Sequence, residues 1–484
     1  MLYSLLSRCA ALTIGLLFAL SVSTAAAQQT RLPDIGTAGG AVMSIDRELA
    51  IGDMYMRQIR ASAPVVGDPV LNAYLHDVGT RLVRNTSDVN FPFKFFWVNQ
   101  DQINAFAFFG GHIGMNTGLI AETRNESEFA SVLAHEIAHV SQRHIVRNMD
   151  AMERSGPAAI ATMLGSILLG IVNPELGMAA ISASMAGMQQ RSINYTRLFE
   201  QEADRIGIDI LAQSGFDPMG APDFFGRLAE KYRYASKPPE MLLTHPLSES
   251  RIADTRIRAE RLKQNMEVRR NELSYWLAKY RVLTRHIGRY NETAARNDMQ
   301  SSNPDIATAA QYGLAILLLD SDQPQEAAEA LAPLLEKAPY NTFYLDVQTD
   351  ILLAQQRFDE ALAMLEQAYQ RMPNERTVTI NFANAAMQAG QLDLAIKLLR
   401  DFLIRESTNT VAMSLLVDAY RRRGDTSNMH EARAELLALH GQFDQAINSL
   451  HNAHAQSSTT LEQRRLQARI EQLMAMQRQL EKLG

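Results

Sequence analysis

The 484-residue chain is long enough for about two or three domains, each with a sizeable core. Its formal net charge of −6 argues against a dedicated nucleic-acid binder, which would be basic. Its composition is that of an ordinary globular protein, and no block of like charges marks an acidic or basic tail.

Residues 1–27 read as a secretory signal peptide. Arg8 is the positive n-region, Cys9–Val22 the apolar core, and Ala25-Ala26-Ala27 the small-residue cleavage site. The alternative, an uncleaved anchor, suits the short apolar core poorly. Cys9 is the single cysteine, so the processed chain holds no disulfide even where the compartment permits one. Gln28–Gly40 is a polar arm. Helical spacing then runs over Ile45–Ile59 and Asp68–Asn85.

Phe91–Leu119 changes character. Phe95–Val98 and Ala105–Phe109 are strand candidates, Gly110-Gly111 is a tight turn, and His112–Met115 returns. The pattern predicts a small β-meander. Its edge could pair with an extended peptide, or it could be a plain structural hairpin.

Ser131–His144 reads SVLAHEIAHVSQRH and contains H-E-x-x-H at His135–His139. Two histidines at i and i+4 lie about 40° apart on a helix, so both imidazoles reach one point suited to zinc. Glu136 projects beside them, where a carboxylate can take a proton from water on the metal. The rest of the segment is apolar, and two histidines and a carboxylate are costly there unless metallated or hydrogen-bonded. His144 falls about 140° from His139 on the helix, which excludes it as a ligand.

Residues 157–191 hold two uncharged runs, Ala158–Val172 and Leu176–Gln190, broken by Asn173-Pro174-Glu175. Neither reaches the roughly 20 residues of a membrane span. The first reading is a helical hairpin covering the catalytic groove; the second is a membrane-facing or re-entrant hairpin that makes peripheral contact with a membrane. On the next helix Glu200, Ala203, Asp204 and Gly207 share a face. Small Ala203 and Gly207 permit close helix approach, which places Glu200 as the third metal ligand and Asp204 to hold a ligand histidine by its second nitrogen. Glu202, the competing ligand, points about 200° away. In Thr244-His245-Pro246, a proline-locked histidine could reach the site from a loop, either to stabilise an oxyanion or to occupy the fourth metal position.

Arg251–Gln264 and Leu273–Arg285 read as charged helices, and 301–304 as a linker. A 34-residue period follows. Ala315, Thr349 and Ala383 recur, as do Ala327, Ala361 and Ala395, in the pattern of tetratricopeptide repeats. Ala446 lies 51 residues after Ala395, which predicts a shared or inserted helix near 427–440.

HEIAH, the run Glu200–Gly207, Thr244-His245-Pro246 and the Asn104–Ile120 stretch together resemble the HtpX/Oma-type zinc metallopeptidases, which are gluzincins. The resemblance implies one zinc ion per chain held by His135, His139 and Glu200, with Glu136 as general base and accessory roles for Asp204 and His245. Many relatives place proline before the double glycine, where this chain has Phe109. The fusion to a signal peptide and repeats resembles periplasmic members that serve outer-membrane quality control. The partners so implied are unfolded or stalled outer-membrane proteins and the β-barrel assembly machinery. The expected fold is mainly α: a signal peptide at 1–27, a gluzincin-type metallopeptidase domain with a small β-sheet at 28–262, a helical connector at 263–303 and an α-solenoid of tetratricopeptide repeats at 304–484. Two functions compete, a zinc endopeptidase and a chaperone or scaffold with latent peptidase activity.

Overall fold

The computed structural model describes residues 43–87, 89, 91–152, 165, 190–236, 239–264, 266–268 and 272–481. The expected signal peptide at 1–27, the arm at 28–40 and nearly all of the expected hairpin at 157–191 lie outside the described residues.

Helix α1 (Ile45–Ser62) starts at the N-cap Ser44 and buries Ile51, Tyr55, Met56 and Ile59. Helix α2 (Pro69–Val83) starts where Asp68 accepts from the Val70 and Leu71 amides and proline fills the first turn. Its Leu71, Leu75, Val78 and Leu82 are fully buried.

Three strands follow: β1 (Lys94–Val98), β2 (Ala105–Phe108) and β3 (His112–Asn116). Gly110 and Gly111 make the β2–β3 turn at φ of 70° and 79°, a region costly for a side chain. The sheet is not the expected meander. Its order is β1-β3-β2, with β1 parallel and β2 antiparallel to β3. The segment between β1 and β2 carries the chain past the place β3 later fills. It is fastened by hydrogen bonds from the Asn116 and Gly118 amides to the Asn104 and Gln100 carbonyls. β2 is therefore an edge strand.

Short helix α3 (Thr117–Glu122) leads to α4 (Glu126–Ser141), which carries the H-E-x-x-H motif. Asn125 caps α4 by accepting from the Glu128 amide at 2.8 Å. Phe129, Val132, Leu133 and Ile137 are fully buried, and Trp97 stacks on Phe129 at 5.5 Å. Around α4 stand α5 (His144–Met152), α6 (Gln190–Gln213), α7 (Gly220–Lys231), α8 (Glu240–Thr244) and α9 (Glu249–Lys263). Next, α10 (Leu273–Arg281) buries Tyr275, Leu277 and Ala278 and packs on the first repeat helix, Pro304–Asp320.

The periodic small residues sit at helix crossings. Ala315, Ala327, Ala361, Ala383 and Ala395 are fully buried and Thr349 nearly so. The helix Thr426–Leu439 lies where a shared or inserted helix is expected near 427–440. Ala446 is the fourth residue of its helix, as Ala327, Ala361 and Ala395 are of theirs. Two helices, Thr410–Arg423 and Thr426–Leu439, separate the Ala395 and Ala446 helices where one separates those of Ala361 and Ala395, which explains the half-period offset.

The repeats are pinned to the preceding part of the chain. Buried Arg281 pairs with Asp68 at 2.5 Å and Asp346 at 2.7 Å, and donates to the Tyr312 hydroxyl at 3.0 Å. At the far end of the array, Arg57 of α1 donates to the Ala438 carbonyl and lies over Phe443. Replacing Arg281 by Met strips two buried carboxylates of their arginine and should cost about 3–5 kcal/mol, read as a fall in melting temperature. Adding Asp68→Asn and Asp346→Asn should restore part of it. A second dependence concerns Glu126, in the first turn of α4. Burial pushes its pKa up to about 7, with Arg81 opposing and Glu272 adding. A carboxyl raised in the fold favours folding most below its ordinary pKa of 4.5 and loses that contribution as pH climbs through about 7. Glu126→Gln should therefore gain about 1–3 kcal/mol on the wild type between pH 5 and pH 8 in denaturant titrations.

Candidate metal centre

The site is assembled where α6 crosses α4 at very short range. A Cβ on Gly207 would lie 3.1 Å from both the Cα and the amide nitrogen of His135, so only glycine allows this approach without displacement. The crossing sets Glu200, two turns earlier on α6, opposite the two histidines of α4. Glu200 Oε2 stands 3.4 Å from His135 Nε2, and its Oε1 3.3 Å from His139 Nε2. The two Nε2 atoms are 3.0 Å apart. Short helix α8 ends at His245, whose Nδ1 lies 3.1 Å from Glu200 and 3.3 Å from His135 Nε2. Ligand atoms of His135, His139, Glu200 and His245 all fall within 4.8 Å of one another.

These side chains fit a divalent cation. Three imidazole nitrogens converge on one point with a carboxylate, and neutral rings crowded nitrogen to nitrogen satisfy one another poorly. Burial opposes ionisation of Glu200, yet His245 and His139 hold its carboxyl well below the usual range. Burial also disfavours a charged His135, but hydrogen bonds to Asp204 and Glu200 outweigh it and raise its pKa to about 10. Burial lowers the pKa of His139 instead. An ionised Glu200 among three rings favours a cation there, and the nitrogen and oxygen donors are those zinc takes.

Asp204 lies one turn beyond Glu200, with Oδ1 3.1 Å from His135 Nδ1. It is clamped by Arg251 of α9, which reaches its two oxygens at 2.7 and 2.8 Å. The same guanidinium lies 3.1 Å from Glu200 and donates to the Pro246 carbonyl at 2.7 Å. One buried arginine therefore ties two carboxylates to the loop carrying His245. Sequence reasoning missed Arg251, because nothing in its spacing separates it from the other charges of that helix.

Glu136 is almost fully buried, and its Oε1 has no hydrogen-bond partner among the described residues. His245 Nε2 is the close cation candidate, at 3.5 Å. Glu202 is apart from the cluster and holds His144 and Arg147 instead. His144 is not in the cluster either, but it touches His139, Nδ1 to Nδ1 at 3.0 Å. The helical-wheel argument assumed one continuous helix. The chain instead breaks at Arg143, whose φ of 51° turns His144 back toward the site. Glu240, at the start of α8, is buried, and burial raises its pKa to about 7 against a lowering contact from Asn104, beside edge strand β2.

Fold and site together define a zinc-dependent metalloendopeptidase carrying tetratricopeptide repeats. Residues 69–259 match peptidase family M48, and residues 352–406 match a tetratricopeptide-repeat family. The chain is 44% identical over 457 residues to the β-barrel assembly-enhancing protease of Yersinia pestis, covering 94% of each. It is 42% identical to that of Escherichia coli K12, covering 97% of this chain and 95% of the relative. The mitochondrial metalloendopeptidase OMA1 of Arabidopsis thaliana is 29% identical over 174 residues, 35% of this chain and 33% of the relative. The chain belongs to the β-barrel assembly-enhancing protease family, within the M48 metallopeptidases.

The tight helix crossing makes a specific demand. Gly207→Val should push α6 off α4, lowering thermal stability by about 1–3 kcal/mol. It should also reduce retained zinc, measured by atomic emission after dialysis against a weak chelator. Gly226→Ala, whose Cβ would meet only Ile252 at 3.9 Å, should leave both unchanged.

Proposed function

We propose that this metalloendopeptidase works in the periplasm, removing stalled outer-membrane β-barrel proteins and assisting productive ones. We also propose that one zinc ion is held by His135, His139 and Glu200. The convergence of these side chains across two helices carries the ligand reading. The apolar run at 9–22 and the names of the relatives support the compartment and the clients. The proposed division of the chain is a peptidase domain at 28–262, a helical connector at 263–303 and a repeat domain at 304–484.

Zinc bound here supplies Lewis acidity toward the peptide carbonyl. Glu136 supplies the base: its buried, unpartnered oxygen takes a proton from the attacking water and returns it to the leaving amine. Asp204, locked by Arg251, fixes the tautomer of His135 so that Nε2 faces the metal. Edge strand β2 offers backbone groups to an extended substrate, which gives affinity with little side-chain choice. The repeats carry an open groove of about 920 Å³ lined by Ile396, Leu403, Ile404, Met413, Leu416 and Tyr420, and charged residues rim it. It suits a partner segment with apolar anchors.

The position of His245 favours a resting enzyme that is closed. Its ring sits against Glu200 and His135, where a fourth metal ligand would stand, and its side chain is mostly buried. A chaperone or scaffold with latent peptidase activity is the second reading, and this same contact supports it.

Glu136→Gln should retain full zinc and lose proteolysis of an unfolded substrate by at least about 100-fold, since it removes the base and leaves the ligands. A His135→Ala/Glu200→Ala protein that still binds stoichiometric zinc would refute the ligand reading. His245→Ala should raise casein cleavage several-fold. An unchanged rate removes His245 from the gate, and a lower rate assigns it to oxyanion stabilisation. Photo-crosslinkers at Ile404, 81% exposed, should capture assembly partners in cells, whereas crosslinkers at exposed Leu461 on the last helix should not.

A further inference from the structure

We infer that His144 and Glu202 form a positioning relay that orients His139 toward the metal, an inference that rests on His139 being a ligand. The two motif histidines differ in how their far nitrogens are held. His135 Nδ1 meets a carboxylate directly, Asp204 at 3.1 Å, and that carboxylate is locked by Arg251. His139 Nδ1 meets another imidazole, His144 Nδ1 at 3.0 Å. His144 Nε2 then meets Glu202 Oε2 at 3.2 Å, and Glu202 is held by Arg147 at 3.0 Å. Each ligand ring is thus backed by a carboxylate–arginine pair. For His139 an imidazole stands between.

Hydrogen-bond accounting sets the protons along this chain. A His139 that gives Nε2 to a metal carries its proton on Nδ1, so His144 Nδ1 must accept. A neutral His144 then holds its own proton on Nε2, which donates to Glu202. Only this arrangement satisfies both contacts. The ring plane is set independently. Phe199 stacks on His144 with centroids 4.6 Å apart and 22° between planes, and Arg147 lies over the other ring of that stack at 4.8 Å. The left-handed turn at Arg143 brings His144 there, and Arg143 is itself fixed by Glu48 and the Met43 carbonyl. His144 is buried whereas the Glu202 side chain is one-third exposed, so the relay runs from the ligand to the surface. His144 is a positioning residue, since it acts through His139.

The test uses the full processed chain and reads zinc affinity by competition with a chromophoric chelator, the visible spectrum of the cobalt(II) protein, and apo-protein melting. His144→Phe keeps the stacked ring and removes the acceptor; it should weaken zinc binding about 10- to 100-fold and shift the cobalt bands. His144→Asn sets an amide oxygen near the lost nitrogen and should restore affinity to within about threefold of wild type. Glu202→Ala, on the surface, should weaken binding about three- to tenfold by freeing the His144 tautomer. Wild-type affinity in His144→Phe overturns the relay, as does an Asn variant as weak as the Phe variant, which would show that an acceptor at this position does not orient His139. If His144→Phe shows no apo-protein transition, Glu202→Ala decides: unchanged affinity overturns the relay and a several-fold loss supports it. His139→Ala separates the two levels. If it retains zinc, the ligand reading itself is at fault; if it loses zinc while the relay variants do not, only the relay fails.

Discussion

Two carboxylates buried one turn apart on a single helix govern this structure. Glu200 and Asp204 would repel each other and resist burial if left alone. Arg251 lies against both, His135 touches both, and a cation completes the balance. From that balance the rest of the site follows. The helix bearing them must lie against the motif helix, which requires glycine at 207. The arginine must come from a third helix, which brings the His245 loop with it, because the same guanidinium holds the Pro246 carbonyl. The proposed gate and the proposed ligand set therefore share one anchor. A displacement of the loop is felt at Glu200 and Asp204 without any long-range device.

A second buried charge cluster plays the same part between the peptidase and the repeats. Arg281 ties the N-cap of α2 to the second repeat pair through Asp68 and Asp346, and Arg57 meets the array again near its far end. The repeats are thereby held at two widely separated places. An array fixed this way presents its groove in a constant relation to the peptidase. That suits an enzyme in which a client is captured by one surface and cut at another, and it argues against repeats tethered only by a linker. Buried ion pairs of this kind specify geometry more than they add net stability.

Much of this was legible in the residues. H-E-x-x-H, the shared face of Glu200 and Asp204, and the 34-residue period are local patterns, and local periodicity decides which side chains share a helix face. The small residues at 203 and 207 carried the helix crossing as well, since close packing leaves a mark in residue size. Two features were not legible. The parallel pairing of β1 with β3 depends on where the intervening segment is fastened, and no alternation pattern records that. His144 stays outside the ligand cluster, but its contact with His139 depends on the backbone break at Arg143, which a helical wheel does not record.

The order of residues sets the chemistry available: which donors exist, which of them share a helix, and that a repeat array follows. Tertiary structure decided which donors meet. Arg251 and His144 have no distinguishing spacing, because their partners lie on other helices or beyond a left-handed residue. Glu202, only two residues from Glu200, is sent to a different neighbour by the helix's own rotation. Contacts between elements arise from packing geometry, which periodicity constrains only one helix at a time.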